Sequence, residues 1–196
     1  MNSIENLKQV TYEKAEGKIN NGDLLSFHPR CKWWQPWSWF PWLIAFTNKY
    51  RICHSAMACK WCDNLLVVQM TSSPDRIVLL SDVVRKWPGK IIVSRPLGNF
   101  NRVDAINTMV RITEKPYGWV RLFLLGLSHT FTGGLLWPNP IDDDTAVSDL
   151  PPVCSESYSR AMRLAGFDPC LKRPDSKTEP HHLFESDLMK PLFILV

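Results

Sequence analysis

Cys154-Ser155-Glu156 opens an amphipathic segment, and His54 stands far upstream at the head of a predicted hairpin. A cysteine at a helix start lies at the positive end of the helix dipole, which favours thiolate over thiol. An imidazole brought beside it completes a nucleophile and base pair for acyl transfer. Taken singly, each residue has a structural reading, since buried cysteine is common and a histidine can simply belong to a core or a surface. The combination, with histidine first and cysteine last, carries the chemical reading.

Two elements have to position these groups. Arg51 to Lys60 and Asn64 to Thr71 read as strands around the polar turn Lys60-Trp61-Cys62-Asp63. A four-residue loop pairs Cys59 with Asn64 and sets His54 opposite Gln69, with Cβ atoms about 4.5–5.5 Å apart. A slip of two residues keeps them on one face, and a slip of one separates them. Gln69 can then hydrogen-bond one imidazole nitrogen and leave the other for the thiol, as the third member of a triad does. Being a neutral amide, it fixes the ring's direction without adding charge. The second element is the helix Cys154 to Ala165. Pro151-Pro152 fixes its approach, Met162, Leu164 and Ala165 form part of an apolar face, and Gly166 closes it. The free backbone N–H groups of Cys154 and Ser155 are natural oxyanion donors.

Elsewhere the pattern predicts a short helix within 5–20, a strand from Leu24 to Phe27, and a strand or helix over 76–84. It further predicts a strand from Lys90 to Arg95, helices over 101–113 and Trp119 to Leu127, and a last strand over Pro191 to Val196. Strands and helices without strict alternation indicate α+β, with an antiparallel sheet packed against helices. At 196 residues we expect a single domain spanning 1–196, with a Trp-rich insertion at about 28–50.

A chain with 45% hydrophobic and 21% charged residues is globular rather than wholly disordered. The net charge of +4 is mild and no basic run reaches five, so nucleic acid is not an expected partner. The N-terminus lacks the apolar core of a secretory signal and no stretch is long enough to span a bilayer. Hence we expect a cytoplasmic protein with reduced thiols.

Trp33, Trp34, Trp37, Trp39 and Trp42 crowd into a segment broken by Pro36 and Pro41. One reading is a peripheral membrane patch, with Leu43, Ile44 and Phe46 inserting and Lys32, Lys49 and Arg51 facing anionic headgroups. The favoured reading is a loop over the core that lines the substrate groove with its rings, because the prolines break any regular amphipathic face. No metal site or cofactor is expected. Cys59-Lys60-Trp61-Cys62 has zinc-ligand spacing, but the second pair of a closed site is not evident. His28, His129, His181 and His182 are expected to be structural or exposed. Asp142-Asp143-Asp144 lacks the glycine and distal glutamate of a calcium loop.

Gly22-Asp23-Leu24-Leu25, His54-Ser55-Ala56-Met57, Val67-Val68-Gln69-Met70 and Cys154-Ser155-Glu156, in that order, resemble the permuted papain-fold cysteine hydrolases. In particular they resemble the YiiX/YebB-like branch of the NlpC/P60 superfamily. Pro116-Tyr117-Gly118-Trp119 and the tail from Pro180 to Leu192 agree with it, and the resemblance covers roughly 20 to 195. It implies a circularly permuted papain-like fold, Cys154 as nucleophile, His54 as base, and Gln69 where the family commonly has glutamate. Tyr117 would join the tryptophans at the groove or at a membrane surface. The implied activity is a thiol hydrolase or acyltransferase acting on an amide or ester, with peptide, amide or acyl-lipid substrates. The alternative is a non-catalytic binding or inhibitory protein on the same fold, gripping a partner or membrane through the tryptophan loop.

Overall fold

The central strands of the chain are apolar on both faces, as strands covered on both sides have to be. The computed structural model describes residues 4–30, 50–71, 73–74, 76–118, 151–171 and 173–196. Among these, in chain order, are β1 (Gln9–Val10), α1 (Tyr12–Ala15), β2 (Leu24–His28), β3 (His54–Trp61), β4 (Asn64–Val68) and β5 (Ile77–Leu79). There follow α2 (Leu80–Lys86), β6 (Lys90–Pro96), α3 (Arg102–Thr113), α4 (Cys154–Leu164), α5 (Pro180–Glu185) and β7 (Met189–Leu195). The strands form one seven-stranded sheet in the order β1-β7-β6-β2-β3-β4-β5. Its pairings are antiparallel except β1 with β7. The α+β expectation is met: a mostly antiparallel sheet lies between helices.

One face packs Leu25, Phe27, Ala56, Ala58, Leu65, Val67, Ile91 and Val93 against Ala15 of α1 and Leu80 of α2. The other packs Leu24, Met57, Cys59 and Val68 against Ala105 and Met109 of α3 and Tyr158, Ala161 and Met162 of α4. Alternation along β3 therefore feeds two cores at once. Where β7 lies on β6, a register shift between Val93 and Ser94 accommodates Pro191, which cannot donate to a ladder.

The helix predicted within 5–20 is a correction. Gln9 and Val10 are extended and pair with Ile194 and Leu195, leaving α1 as one turn followed by a 3₁₀ turn at Glu16–Lys18. Partial amphipathicity yields to the backbone partners offered by the edge of β7. The segment predicted as strand or helix over 76–84 is both: β5 leads directly into α2. The Trp119 to Leu127 helix and most of the tryptophan segment lie outside the described residues.

Helix α4 is the element on which the site depends. It is buried from Cys154 through Met162. Gly166, at φ 95°, ends it in a Schellman motif: its N–H donates to the Arg163 carbonyl and that of Phe167 to the Met162 carbonyl, both at 3.0 Å. Its middle is pinned by the buried Tyr158 hydroxyl, which donates to the Gly22 carbonyl at 2.9 Å. Gly22 takes φ 83° and lies so close to the Phe100 ring that a Cβ would stand 2.8 Å from it. Asp23, fully buried, receives both Nε and Nη2 of Arg95 at 3.1 and 2.8 Å and so fixes the same turn. Tyr158→Phe strands the Gly22 carbonyl without a donor, at a cost of about 1–3 kcal/mol. Urea unfolding should show the midpoint falling with an unchanged slope, whereas an unchanged midpoint would remove this anchor from the account.

Candidate active site

Strand β3 delivers the imidazole. Arg51 at φ 53° turns the chain into it, and the Cys53 N–H donates to the Phe27 carbonyl at 2.9 Å. His54 lies opposite Phe27 in the ladder with ring centroids 5.1 Å apart, and Trp87 meets Phe27 edge-on at 5.2 Å. His54 Nε2 stands 3.1 Å from Gln69 Oε1. With Nε2 so engaged, Nδ1 is the nitrogen left for the Cys154 thiol, to which the ring is hydrogen-bonded.

The register that achieves this differs from the expected one. Trp61 pairs with Asn64 and Met57 with Val68, so the loop is the two-residue turn Cys62-Asp63, with Cys62 at φ 51°. This is the two-residue slip that preserves facing. Gln69 becomes a diagonal neighbour of His54 instead of a direct one, and a long amide side chain covers the added distance.

Helix α4 delivers the thiol from the other side. Extended Val153 (φ −99°, ψ 169°) turns the chain from Pro151-Pro152 into the helix, so that Cys154 is its first residue. Two backbone N–H groups, those of Ser155 and Ser55, donate to the Cys154 sulfur. The second is explained by the sheet. Ala58 exchanges hydrogen bonds with the Asp23 side of β2, so even-numbered residues of β3 bond β2 and odd-numbered ones bond β4. Because β4 ends at Val68, opposite Met57, the Ser55 N–H has no strand partner and is turned onto the thiol.

Electrostatics follow from these contacts. Burial by itself would raise the Cys154 thiol, but the adjacent His54 and the two N–H donors overcome it and hold the thiol below its ordinary value. Burial likewise opposes a charged His54, yet the Cys154 thiolate, and then the bond to Gln69, hold the imidazole above its ordinary value. The two shifts are reciprocal: each group moves the other's proton affinity toward its charged form. Cys53, next to His54, behaves oppositely: burial and then the Cys154 charge push its thiol up, and its Sγ donates to the Phe27 carbonyl at 3.4 Å.

Tyr117 also belongs here. The sequence placed it at the groove or a membrane; the structure sets its hydroxyl in a hydrogen bond with Cys154, and burial followed by the thiolate charge raises its phenol. Gly118 makes that approach possible. Its N–H donates to the Pro152 carbonyl at 3.1 Å, and a Cβ there would stand 2.4 Å from the Pro151 carbonyl oxygen. Glycine is the residue that lets the 116–118 segment lie against the start of α4.

His54, Gln69, Cys154, Ser155 and Tyr117 thus converge. Trp33, Trp34, Trp37, Trp39 and Trp42 lie outside the described residues. Cys59 is buried in the α4-side core while Cys62 is exposed at the turn, so the CxxC pair diverges. His181 and His182 serve α5: His182 Nδ1 accepts from the Glu179 N–H at 3.1 Å, and His181 Nδ1 lies 3.4 Å from Glu179 Oε2. The Ser55 donor was missed in the sequence, since a backbone group carries no residue-type signal; a strand longer than its neighbour was the available clue.

No protein-family model and no curated protein matches the chain. Among solved structures it matches the crystal structure of the metalloprotein YiiX from Escherichia coli O157:H7 at 16% sequence identity and a TM-score of 0.58. The match covers 88% of this chain and 96% of that one. This chain has the YiiX fold. At such identity the likeness is one of fold. YiiX is described as a metalloprotein; among the described residues here, no three His, Cys, Asp or Glu side chains gather as metal ligands would. Nor, among the described residues, is any helix long and apolar enough to cross a membrane.

Site-resolved iodoacetamide alkylation tests the ion pair. Cys154 should react with a midpoint below that of an ordinary thiol, because the thiolate survives until pH falls through its lowered value. In His54→Ala that midpoint should move up, as only the two N–H donors then oppose burial. Exposed Cys62 reports reagent activity in the same molecule. A Cys154 profile unaltered by His54→Ala would dissolve the pair.

Proposed function

We propose that this chain is a thiol hydrolase or acyltransferase of permuted papain type, within the NlpC/P60 superfamily, acting on an amide or ester. The observation that carries the reading is the facing of a lowered Cys154 thiol and a raised His54 imidazole at a helix N-terminus. The order of elements, histidine strand before cysteine helix, agrees with the permuted arrangement. A single domain over 1–196 fits the one continuous sheet, whose first and last strands, β1 and β7, pair with each other.

The Cys154 thiolate attacks the substrate carbonyl carbon, forming the C–S bond and moving the carbonyl π electrons onto oxygen. Ser155 N–H, Ser55 N–H and Tyr117 hydroxyl, which hold the thiolate in the resting protein, are the donors nearest the developing oxyanion. His54 then gives its Nδ1 proton to the leaving nitrogen or oxygen as the carbonyl–leaving-group bond breaks. Water, or another nucleophile, loses a proton to His54, attacks the thioester and frees Cys154. Gln69 keeps the ring aimed throughout. Peptide amides and acyl-lipid esters both suit this chemistry, since the fold does not choose among them.

The test is intact-mass detection of an acyl adduct on Cys154 after mixing with p-nitrophenyl esters of graded chain length and with short peptide amides. An adduct in the wild type, absent in Cys154→Ala, is the expected result; no adduct with any of them would sink the reading. Tyr117→Phe should lower turnover by about 10²-fold, the usual cost of one oxyanion donor, while the fold is retained.

Turnover should be bell-shaped in pH, falling below the lowered Cys154 value and above the raised His54 value. Gln69→Glu sets a carboxylate on the imidazolium and should move the alkaline limb upward by about 1 unit or more. A downward move would remove Gln69 from contact with the acid.

A further inference from the structure

Arg76 belongs neither to the cysteine helix nor to the histidine strand, yet it touches both approaches to the site. It stands in the short connection between β4 and β5, half-buried. Its backbone carbonyl accepts the Gln69 N–H at 2.9 Å. Its Nη1 donates to the carbonyls of Thr113 and Lys115, the latter at 2.9 Å. On one side, therefore, Arg76 holds the backbone of the residue whose Oε1 meets His54. On the other it holds the end of α3, from which the chain runs through Pro116 directly to Tyr117 and its contact with Cys154.

Physical chemistry favours this arrangement on both sides. The last carbonyls of a helix lack intrahelical donors and carry the negative end of its dipole, so a guanidinium suits them. Its Nη1 carries two N–H groups, so one nitrogen serves both carbonyls, and the planar guanidinium fixes their direction more firmly than a freely rotating ammonium would. Pro116 has a fixed φ, so a displacement at Lys115 is passed to Tyr117 with little absorbed between them. Gln69 lies just past the end of β4 at Val68, beyond the ladder with β3, so the Arg76 carbonyl is what continues its backbone order.

We propose that Arg76 is a positioning residue that couples the Gln69–His54 arm to the Tyr117 arm, so that both meet Cys154 in one geometry. This rests on the thiol-hydrolase reading above. Arg76 does not itself touch the reacting atoms; its side chain sets where Tyr117 stands, and its anchored backbone sets where Gln69 stands.

The test compares wild type, Arg76→Ala, Arg76→Lys, Tyr117→Phe and Arg76→Ala/Tyr117→Phe, each first shown folded by a thermal melt. The readout is the pH midpoint of Cys154 alkylation, which a merely structural role would not move. Arg76→Ala should shift the midpoint upward by about one pH unit, a tenfold loss of thiolate in the acid range. Arg76→Lys should recover part of it. The double variant should fall short of the sum of the single shifts, as coupled residues do. If Arg76→Ala lowers the melting temperature but leaves the midpoint at the wild-type value, or if the two shifts simply add, the coupling is overturned. Should Arg76→Ala not fold, Arg76→Lys decides alone: a wild-type midpoint overturns the proposal and a partial upward shift supports it. A wild-type Cys154 whose midpoint is not below that of an ordinary thiol would instead overturn the hydrolase reading itself, an outcome distinct from all of these.

Discussion

The Cys154 thiol and the His54 imidazole, facing each other inside the protein and each moving the other's proton affinity, are the constraint around which this structure is organised. Charge inside a protein is costly unless it is paired and hydrogen-bonded. Cys154 is 5% exposed, so its lowered thiol demands more than a neighbouring histidine. The Ser155 and Ser55 N–H groups and the Tyr117 hydroxyl supply the remaining donors, each from a different element: the cysteine helix, the histidine strand and the segment after α3. Cys53 offers the contrast. It has comparable burial, no imidazole among the groups that shift it, and a carbonyl acceptor for its Sγ, and its thiol moves the other way. The imidazole first, and then the N–H groups, separate the Cys154 thiol from the Cys53 thiol.

That convergence places a strict demand on α4, because a helix able to slide or roll would break the sulfur's contacts. Tyr158 ties its middle to the Gly22 turn, Ser155 Oγ donates to the Thr178 carbonyl at 2.6 Å, and Arg163 Nε reaches Asp175 at 2.8 Å. Glu156 and Arg160 form a buried pair at 3.1 Å, one turn apart on the helix. Such pairs contribute modestly to net stability but cost about 3–5 kcal/mol when one partner is lost. Their value lies in specifying one helix position rather than in adding cohesion. The polar residues of α4 are thus turned inward, which is unusual for a helix whose sequence reads as amphipathic.

This inversion explains what was legible in the sequence and what was not. The strands and the helix at 102–113 were readable because alternation and 3.6-residue spacing match the cores they fill. His54, Gln69 and Cys154 were readable because a side chain's chemistry is written in its type, and the facing of His54 and Gln69 survived a loop miscounted by two residues because strand parity is all that facing requires. The N-terminal helix was not readable, since its fate turned on β7, some 185 residues away in sequence (194 − 9). Tyr117 could be noticed but not placed: its approach depends on Gly118 lying against Pro151 and Pro152. Ser55 acts through its backbone N–H, which leaves no mark in residue type.

The neutral third residue is consistent with the same electrostatics. A carboxylate at 69 would compete with the thiolate for the imidazolium and would stabilise His54⁺ from the side away from Cys154. With neutral Gln69, Cys154 is the largest influence raising the His54 imidazole, so the two proton affinities are tied to each other. The amide contributes direction through Oε1, and the Arg76 carbonyl holds the backbone that carries it. A site built in this way depends more on geometry than on a distributed charge network, which is why so many of its supports are backbone hydrogen bonds, tight glycine contacts and a helix fixed along its length.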